Sequence, residues 1–314
     1  MVQPPVLQPA EAVRARYQAA LAAFVARVRQ DDYILAAILC GSLSHDQVWE
    51  KSDIDVILVG RDERRPLRSY ALVEDGINIH VLLYSRSRFR KEIEGALTSS
   101  FFHSYFSKST LLFTTDESIR EYYADAGKLG EADRELQLLG QATWVVSLLT
   151  KAQKWLYVKH DPAYSFLWHM YMVSHLASIE TLLNGEVTGR EVVQQAMRHN
   201  PAFFRRIYFD VIDRPKTPEL MQEILLAVEG YLVERIEALF RPVLSYLAEQ
   251  GGARTATEID AYFRNQLQSD NGGAALACEW LAEQGVLHKV PVPMRLTEKS
   301  RVTVDEAAYY YEPA

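Results

Sequence analysis

LCGS at residues 39–42 and DIDV at residues 53–56 are separated by ten residues, and together they carry most of the information in this sequence. Asp53 and Asp55 point to the same side if they lie on a strand, because side chains alternate along a strand. Two neighbouring carboxylates repel each other unless a cation lies between them. Mg²⁺ suits this role because it takes oxygen ligands at about 2.1 Å and keeps positions open for phosphate oxygens. The Gly41-Ser42 turn offers bare backbone and a hydroxyl that a triphosphate can approach closely.

The residues around these two stretches mix helical and strand patterns. Asp75-Gly76 supplies the positive φ angles of a tight hairpin turn between two apolar runs. Mixed strands and helices indicate an α+β domain over residues 11–125. The predicted elements are a helix from Glu11 to about Gln30, strands at Tyr33–Cys40, Ile54–Val59, Leu72-Val73, Ile77–Tyr84 and Thr110–Thr114, and a helix over 86–106.

The strand signal is absent between about Glu117 and Gln250, where the apolar pattern has helical spacing. Proline, glycine and asparagine interrupt this pattern and predict the ends of the helices. We therefore predict a helical bundle domain over residues 126–250, with Gly251-Gly252 as a linker. Its predicted helices are 131–159, 163–184, 188–198 and 218–248.

The last segment, residues 253–314, is predicted to form a winged-helix-like module. Its predicted elements are helices at Thr257–Leu267 and Ala274–Gln284 and strands at Val286–Val290 and Arg295–Val304. The segment has six Lys or Arg against nine Asp or Glu, whereas modules that bind phosphate backbones are normally basic. This charge disfavours DNA as a partner and favours a packing or protein-contact role. Tyr309-Tyr310-Tyr311 is a candidate for docking onto the chain itself or onto a second subunit of a homodimer.

The glycine-serine turn and the aspartate pair resemble the signature of the nucleotidyltransferase superfamily of the DNA polymerase beta type. That signature is an apolar residue, Gly, then Gly or Ser, a spacer of about this length, and Asp-x-Asp. The resemblance implies that Asp53 and Asp55 bind the metal and that Gly41 and Ser42 hold a nucleoside triphosphate. Ser44, just past the turn, is a further candidate for triphosphate contact or simply completes the turn.

The resemblance extends beyond the signature. Residues 76–85 match the next strand of the family, and Leu111–Asp116 matches a later strand and turn. Ala152-Gln153-Lys154-Trp155 is similar to a stretch of kanamycin nucleotidyltransferase and related antibiotic-modifying enzymes, in which the lysine binds nucleotide phosphate. The similarity implies this role for Lys154, and it makes an aminoglycoside-like small molecule the best supported acceptor, while protein and RNA acceptors stay open.

Two positions depart from the family pattern. The family usually carries a third carboxylate at the position of His80, and Asn78 on the same face is not a carboxylate either. The catalytic glutamate of kanamycin nucleotidyltransferase corresponds to Thr150, which cannot serve as a base. An imidazole can ligate a metal or act as a general base near neutral pH, so His80 is a candidate for the missing function.

Two functions follow from these observations. The first is an enzyme that transfers a nucleoside monophosphate from a Mg²⁺-bound NTP, with ATP as the first candidate, to a hydroxyl acceptor. Its catalytic residues would be Asp53, Asp55 and His80. The alternative is a catalytically weak or inactive nucleotide-binding regulatory protein that acts through its C-terminal module.

The composition sets the remaining limits. The chain has 314 residues and a net charge of −7, which argues against coating nucleic acid by charge alone. Its two cysteines cannot form a disulfide framework or a structural zinc site. Since no apolar run approaches the length of about 20 residues that a membrane helix needs, and residues 1–10 show no signal pattern, we expect a cytoplasmic protein without a membrane partner.

Overall fold

The structure is a computed structural model, and it describes residues 10–45, 48–62, 68–96, 109–126, 131–189, 191–267 and 273–312. The chain divides into two compact units, with the boundary between residues 129 and 130. Both strands and helices are present, so the predicted α+β class is confirmed. The separation of the second unit into domains over 126–250 and 253–314 stays a prediction. None of the helices in the described residues is long and apolar enough to cross a lipid bilayer.

The described residues of the first unit contain five strands in one mixed sheet. In chain order they are β1 (Ile34–Cys40), β2 (Ile54–Gly60), β3 (Arg68–Glu74), β4 (Ile77–Ser85) and β5 (Thr110–Thr114). Their order across the sheet is β3-β4-β2-β1-β5. β2 and β4 run parallel, whereas the other neighbours run antiparallel. The two strands that carry the aspartates and His80 are therefore neighbours near the middle of the sheet.

Helices cover both faces of this sheet, which explains why the central strands are apolar on both sides. They are α1 (Ala10–Val28), α2 (Arg86–Ala96) and α3 (Glu117–Ala126). Tyr17 and Phe24 of α1 pack on the face that contains Ile54 and Val56. Side chains of α2 and α3 pack on the opposite face. The polar residues of the motif lie where β1 ends and β2 begins.

The hairpin predicted around Asp75-Gly76 is confirmed, with φ angles of 48° and 72° at the two turn residues. The helix predicted over 86–106 is confirmed as far as Ala96, and its residues 97–106 lie outside the described part of the chain.

The second unit begins with a helical region built around a buried helix. Its longer helices are α4 (Glu131–Gln153), α5 (Pro162–Leu183), α6 (Val192–His199), α7 (Pro218–Val233) and α8 (Ile236–Gln250). Leu139, Ala142 and Val145 of α4 are fully buried, and α4 packs against α5, α7 and α8. Asp161 caps the N-terminus of α5 by accepting a hydrogen bond from the backbone N–H of Tyr164, and Pro162 is the first residue of the helix.

The prediction of one helix over 218–248 is wrong, because the chain breaks between α7 and α8 at Glu234 and Arg235. Arg235 has a non-helical backbone and its carbonyl accepts the first hydrogen bond of α8 from Leu239. Its guanidinium donates to the carbonyl of Tyr231 in the last turn of α7. The side chain of Arg235 therefore bonds a carbonyl in the last turn of α7, while the backbone of the same residue begins α8. The residue type alone does not predict this role.

The C-terminal segment contains the predicted order of two helices followed by two antiparallel strands. Its elements are β6 (Arg254–Thr255), α9 (Ala256–Leu267), α10 (Gly273–Glu283), β7 (His288–Met294) and β8 (Val304–Tyr310). The sequence prediction missed β6, which pairs with β8 to give the sheet order β6-β8-β7. Pro291 and Pro293 lie on β7, where an edge strand tolerates the missing N–H groups. The description of this segment as winged-helix-like stays a prediction.

The second strand of this pair lies at Val304–Tyr310 and not at Arg295–Val304 as predicted. The register pairs Met294 with Val304, so residues 295–303 form the connection. Tyr309 holds β8 in place, because it is buried and its hydroxyl donates to the carboxylate of Glu279 in α10. Tyr309 therefore docks onto its own chain.

Candidate active site

The first feature of the site is the aspartate pair at the start of β2. Asp53 immediately precedes the strand and Asp55 is its second residue. Ile54 and Val56 are buried in the core beneath α1, as the alternation of side chains requires. The two carboxylates are consequently excluded from that core, and their side chains are 43% and 20% exposed.

The second feature is the turn that follows β1. Gly41 has a φ of +72°, and residues Ser42–His45 form a short 3-10 turn after it. The hydroxyl of Ser44 donates to the carbonyl of Gly41 at 2.7 Å, and the Ser44 N–H donates to the same oxygen at 3.2 Å. Ser44 therefore completes the turn, while its predicted contact with a triphosphate stays a prediction.

Pairing of β1 with β2 brings the two halves of the motif together. Cys40, the last residue of β1, lies opposite Asp55 in the antiparallel register. A side chain on Gly41 would overlap the carboxylate of Asp55, so the glycine turn and the aspartate lie in direct contact. A residue at this position must therefore tolerate a positive φ and also leave room for the carboxylate.

The third feature is His80 on the neighbouring strand β4. Parallel pairing of β2 with β4 places His80 directly opposite Asp55. Its Nδ1 atom lies 2.9 Å from Oδ2 of Asp53 and 3.9 Å from Oδ1 of Asp55. The imidazole is 54% exposed, so it lies at the surface of the site and not in the core. The residues predicted as catalytic from the sequence thus form one cluster.

The donor set of this cluster fits a divalent cation. One ligand atom from each of Asp53, Asp55 and His80 lies within 4.8 Å of the other two. Neighbouring ligands of an octahedral ion with bonds of about 2.1 Å are about 3 Å apart, which is close to the separation of the His80 and Asp53 atoms. Two carboxylates and an imidazole are ligands that divalent ions use in proteins. The bare turn at Gly41 leaves backbone beside this cluster for phosphate oxygens.

Tyr17 is a positioning residue that the sequence did not reveal. It is buried in α1, and its hydroxyl donates to the carbonyl of Ser52 at 2.7 Å and to that of Glu50 at 3.2 Å. Burial raises the pKa of this hydroxyl, while the nearby Arg16 lowers it. Tyr17 therefore holds the segment that precedes Asp53 against α1. The only sequence signal was a tyrosine within an otherwise apolar helical stripe.

Lys154 belongs to the second unit, where it begins a single π-helical turn, Lys154–Val158, after α4. The turn is closed by the N–H of Lys159, which donates to the carbonyl of Lys154. The hydroxyl of Ser165 donates to the carbonyl of Ala152 just before the turn. A continuous helix was predicted here, because a one-residue expansion of a helix has no local sequence signal. The side chain of Lys154 is exposed, and its phosphate-binding role stays a prediction.

Thr150, at the position of the family's catalytic glutamate, lies on α4. Its hydroxyl donates to the carbonyl of Val146 one turn earlier, which is the usual bond of a threonine within a helix. This contact gives Thr150 a structural role.

The sequence matches no family model and no curated protein. Among solved structures, the chain is similar to a nucleotidyltransferase-like protein from Exiguobacterium sibiricum 255-15, with a TM-score of 0.62 at 13% sequence identity. The match covers 94% of this chain and 99% of that chain. At this identity the comparison shows a shared fold, which confirms the nucleotidyltransferase-like architecture predicted from the sequence. The closer resemblance to kanamycin nucleotidyltransferase stays a prediction.

Proposed function

We propose that this chain is a nucleotidyltransferase that moves a nucleoside monophosphate from an NTP to a hydroxyl acceptor and releases pyrophosphate. The observation that carries this function is the contact between the Gly41 turn and Asp55, with Asp53 and His80 beside it. The fold shared with a nucleotidyltransferase-like protein supports the same function.

Each residue of the cluster has a role in this reaction. Asp53 and Asp55 hold Mg²⁺, which neutralises triphosphate charge when it is bound. The backbone of Gly41 and Ser42 holds the triphosphate. His80 takes the place of the third carboxylate, either as a base or as a ligand. These groups act mainly by positioning and charge neutralisation, since phosphoryl-type transfer needs little covalent participation by the protein.

The transfer balances without any further reactant. The acceptor oxygen forms a bond to the α-phosphorus of the NTP. The bond from that phosphorus to the oxygen bridging to the β-phosphate breaks, and pyrophosphate leaves with the electron pair. The proton of the acceptor hydroxyl passes to a base or to water.

The nature of the acceptor rests on the sequence resemblance around Lys154. This favours a small hydroxylated molecule of the aminoglycoside type, with ATP as the first nucleotide to examine. The half-exposed carboxylate of Asp53 and imidazole of His80 leave the cluster accessible to a substrate.

The test is nucleotidyl transfer by the purified chain. Mg²⁺, each NTP labelled at the α-phosphate, and a panel of hydroxyl acceptors are supplied, and pyrophosphate and labelled acceptor are measured. Asp53→Asn and Asp55→Asn should abolish transfer, while Asp305→Asn, an exposed aspartate of the second unit, should retain it. If no pyrophosphate is released with any acceptor, the proposed nucleotidyltransferase activity is refuted.

The alternative is a nucleotide-binding regulatory protein that acts through its C-terminal segment. His80 at the position of the third carboxylate favours it, because one negative charge of the family's metal site is absent. Under this alternative, the chain binds an NTP tightly in the presence of Mg²⁺ but does not turn it over. Equilibrium binding of a labelled NTP, measured alongside the transfer assay, separates the two functions.

A further inference from the structure

The exposed imidazole of His80 has two chemical options, and its placement favours one of them. A base would accept a proton from the acceptor, whereas a ligand would donate its lone pair to the cation. Nδ1 is directed at both aspartates, 2.9 Å from one carboxylate oxygen and 3.9 Å from the other. Both distances lie within the range of about 3 to 4 Å that separates two ligand atoms of one octahedral ion, so Nδ1 is placed where a third ligand atom would lie.

The sheet fixes this placement. His80 and Asp55 are register partners on parallel strands, so their side chains leave the same face at the same level. Both strands are supported by buried neighbours, with Ile54 and Ile79 fully enclosed. The ligand set therefore depends on rigid strands and not on a loop.

We propose that His80 is a direct metal ligand and that it gives the site a preference for Mn²⁺ over Mg²⁺. Mg²⁺ favours oxygen ligands and loses its bound waters reluctantly. Imidazole is a softer ligand that suits first-row transition ions, while carboxylates suit Mg²⁺ and Mn²⁺ alike. A set of two carboxylates and one imidazole therefore binds Mn²⁺ better, relative to Mg²⁺, than three carboxylates do.

The charge of the ligand set also favours Mn²⁺ over Mg²⁺. A neutral imidazole in place of a carboxylate removes one negative charge from the site. The attraction for Mg²⁺ is almost wholly electrostatic, so its binding weakens most, whereas a transition ion regains part of the loss through its bond to nitrogen. Because the cation belongs to the reaction proposed above, this inference rests on that function, but it concerns binding and can be measured without turnover.

The experiment is a titration of the full chain with Mn²⁺ in the absence of nucleotide, followed by competition with Mg²⁺. Free Mn²⁺ is counted by electron paramagnetic resonance. His80→Asp restores the family's third carboxylate, and His80→Asn removes the imidazole without adding charge. His288→Asp is the matched control, since it makes the same exchange at an exposed histidine of the second unit.

We expect His80→Asp to lower the ratio of Mn²⁺ to Mg²⁺ affinity by at least about tenfold, mainly through tighter binding of Mg²⁺. His80→Asn should weaken Mn²⁺ binding, and His288→Asp should leave the ratio unchanged. Pulsed electron paramagnetic resonance should detect a nitrogen directly bonded to Mn²⁺ in the natural chain and not in His80→Asp. Thermal unfolding of each variant separates a changed ligand from a misfolded chain.

The proposal is overturned if the natural chain does not bind Mn²⁺ at millimolar concentration, if no nitrogen is bonded to the bound ion, or if His80→Asp keeps the same ratio. The last two results would favour His80 as a base oriented by Asp53. Failure of the proposed function would give a different result from failure of the ligand role. Mn²⁺ would then bind with a directly bonded nitrogen, but no acceptor would become labelled. Transfer with an unchanged metal preference in His80→Asp would refute the ligand role alone.

Discussion

Gly41 lies directly against the carboxylate of Asp55, and its backbone has a φ of +72°. Two independent requirements therefore meet at one residue: a left-handed backbone and the absence of a side chain. The antiparallel pairing of Cys40 with Asp55 creates this contact. It joins the turn that we propose to hold the triphosphate to a carboxylate that we propose as a metal ligand.

Gly41→Ala should displace Asp55 and weaken Mn²⁺ binding by at least about tenfold, in addition to a loss of stability of about 1 kcal/mol from the positive φ. Gly76→Ala is the matched control, because Gly76 also has a φ of +72° but an added Cβ there would meet no atom of the described residues within 4 Å. It should lose similar stability and keep metal binding. Equal metal affinity in the two variants would show that the Asp55 contact has no functional consequence. Chemical denaturation and Mn²⁺ titration measure both effects.

Asp53→Asn should abolish nucleotidyl transfer while it changes the free energy of unfolding by no more than about 1 kcal/mol. The reason is that Asp53 is a half-exposed carboxylate, and its polar contact with the exposed imidazole of His80 competes with solvent. Activity and urea denaturation are measured on the same preparation. A large loss of stability would instead mark Asp53 as a structural residue.

Tyr17→Phe should remove the hydroxyl that holds the carbonyls of Ser52 and Glu50. We expect a loss of about 1 kcal/mol of stability and weaker metal binding, since the segment entering Asp53 is no longer held against α1. Tyr123→Phe is the control, because its hydroxyl also donates to a backbone carbonyl, that of Ser109, at 2.7 Å. It should lose similar stability without a change in metal affinity, and parallel losses of affinity in both variants would contradict the role of Tyr17.

His169 should make the stability of the second unit depend on pH. It is fully buried and its Nε2 donates to the carbonyl of Ile207 at 2.6 Å, while Nδ1 has no hydrogen-bond partner among the residues that the structure describes. Burial lowers its pKa to about 4, outweighing the bond to Ile207, which raises it. The unfolded chain binds a proton below about pH 6.5 and the folded chain only below about pH 4, so stability falls as the pH falls through this window.

The expected loss is about 3 kcal/mol between pH 6.5 and pH 4. His169→Gln keeps a donor for Ile207 but cannot titrate, so it should lack this part of the pH dependence. His288→Gln, at an exposed histidine, should keep it. Urea denaturation across the pH range measures all three chains, and an unchanged pH profile in His169→Gln would refute the assignment.

Local patterns in the sequence were sufficient for the five strands of the first unit and for α1 and α2, whereas the sequence prediction missed α3. The alternation around Asp53 and Asp55 predicted which residues enter the core, because a strand has only two faces. The hairpin at Asp75-Gly76 followed from turn chemistry, since few residues adopt two successive positive φ angles. Where the signal was not local, prediction failed, as at the break between α7 and α8 and at the position of β8.

The sequence by itself determined the α+β class, the strand that carries the aspartates and the glycine turn, because residue spacing and backbone preferences act over a few residues. Only the tertiary structure decided how closely His80 approaches each aspartate, that Tyr17 holds Ser52, and that His169 meets Ile207. Tyr17 and Ser52 are 35 residues apart, and His169 and Ile207 are 38 residues apart. The approach of His80 to the aspartates is set by the register of β2 against β4. Such contacts depend on how distant segments pack, and no local pattern encodes that.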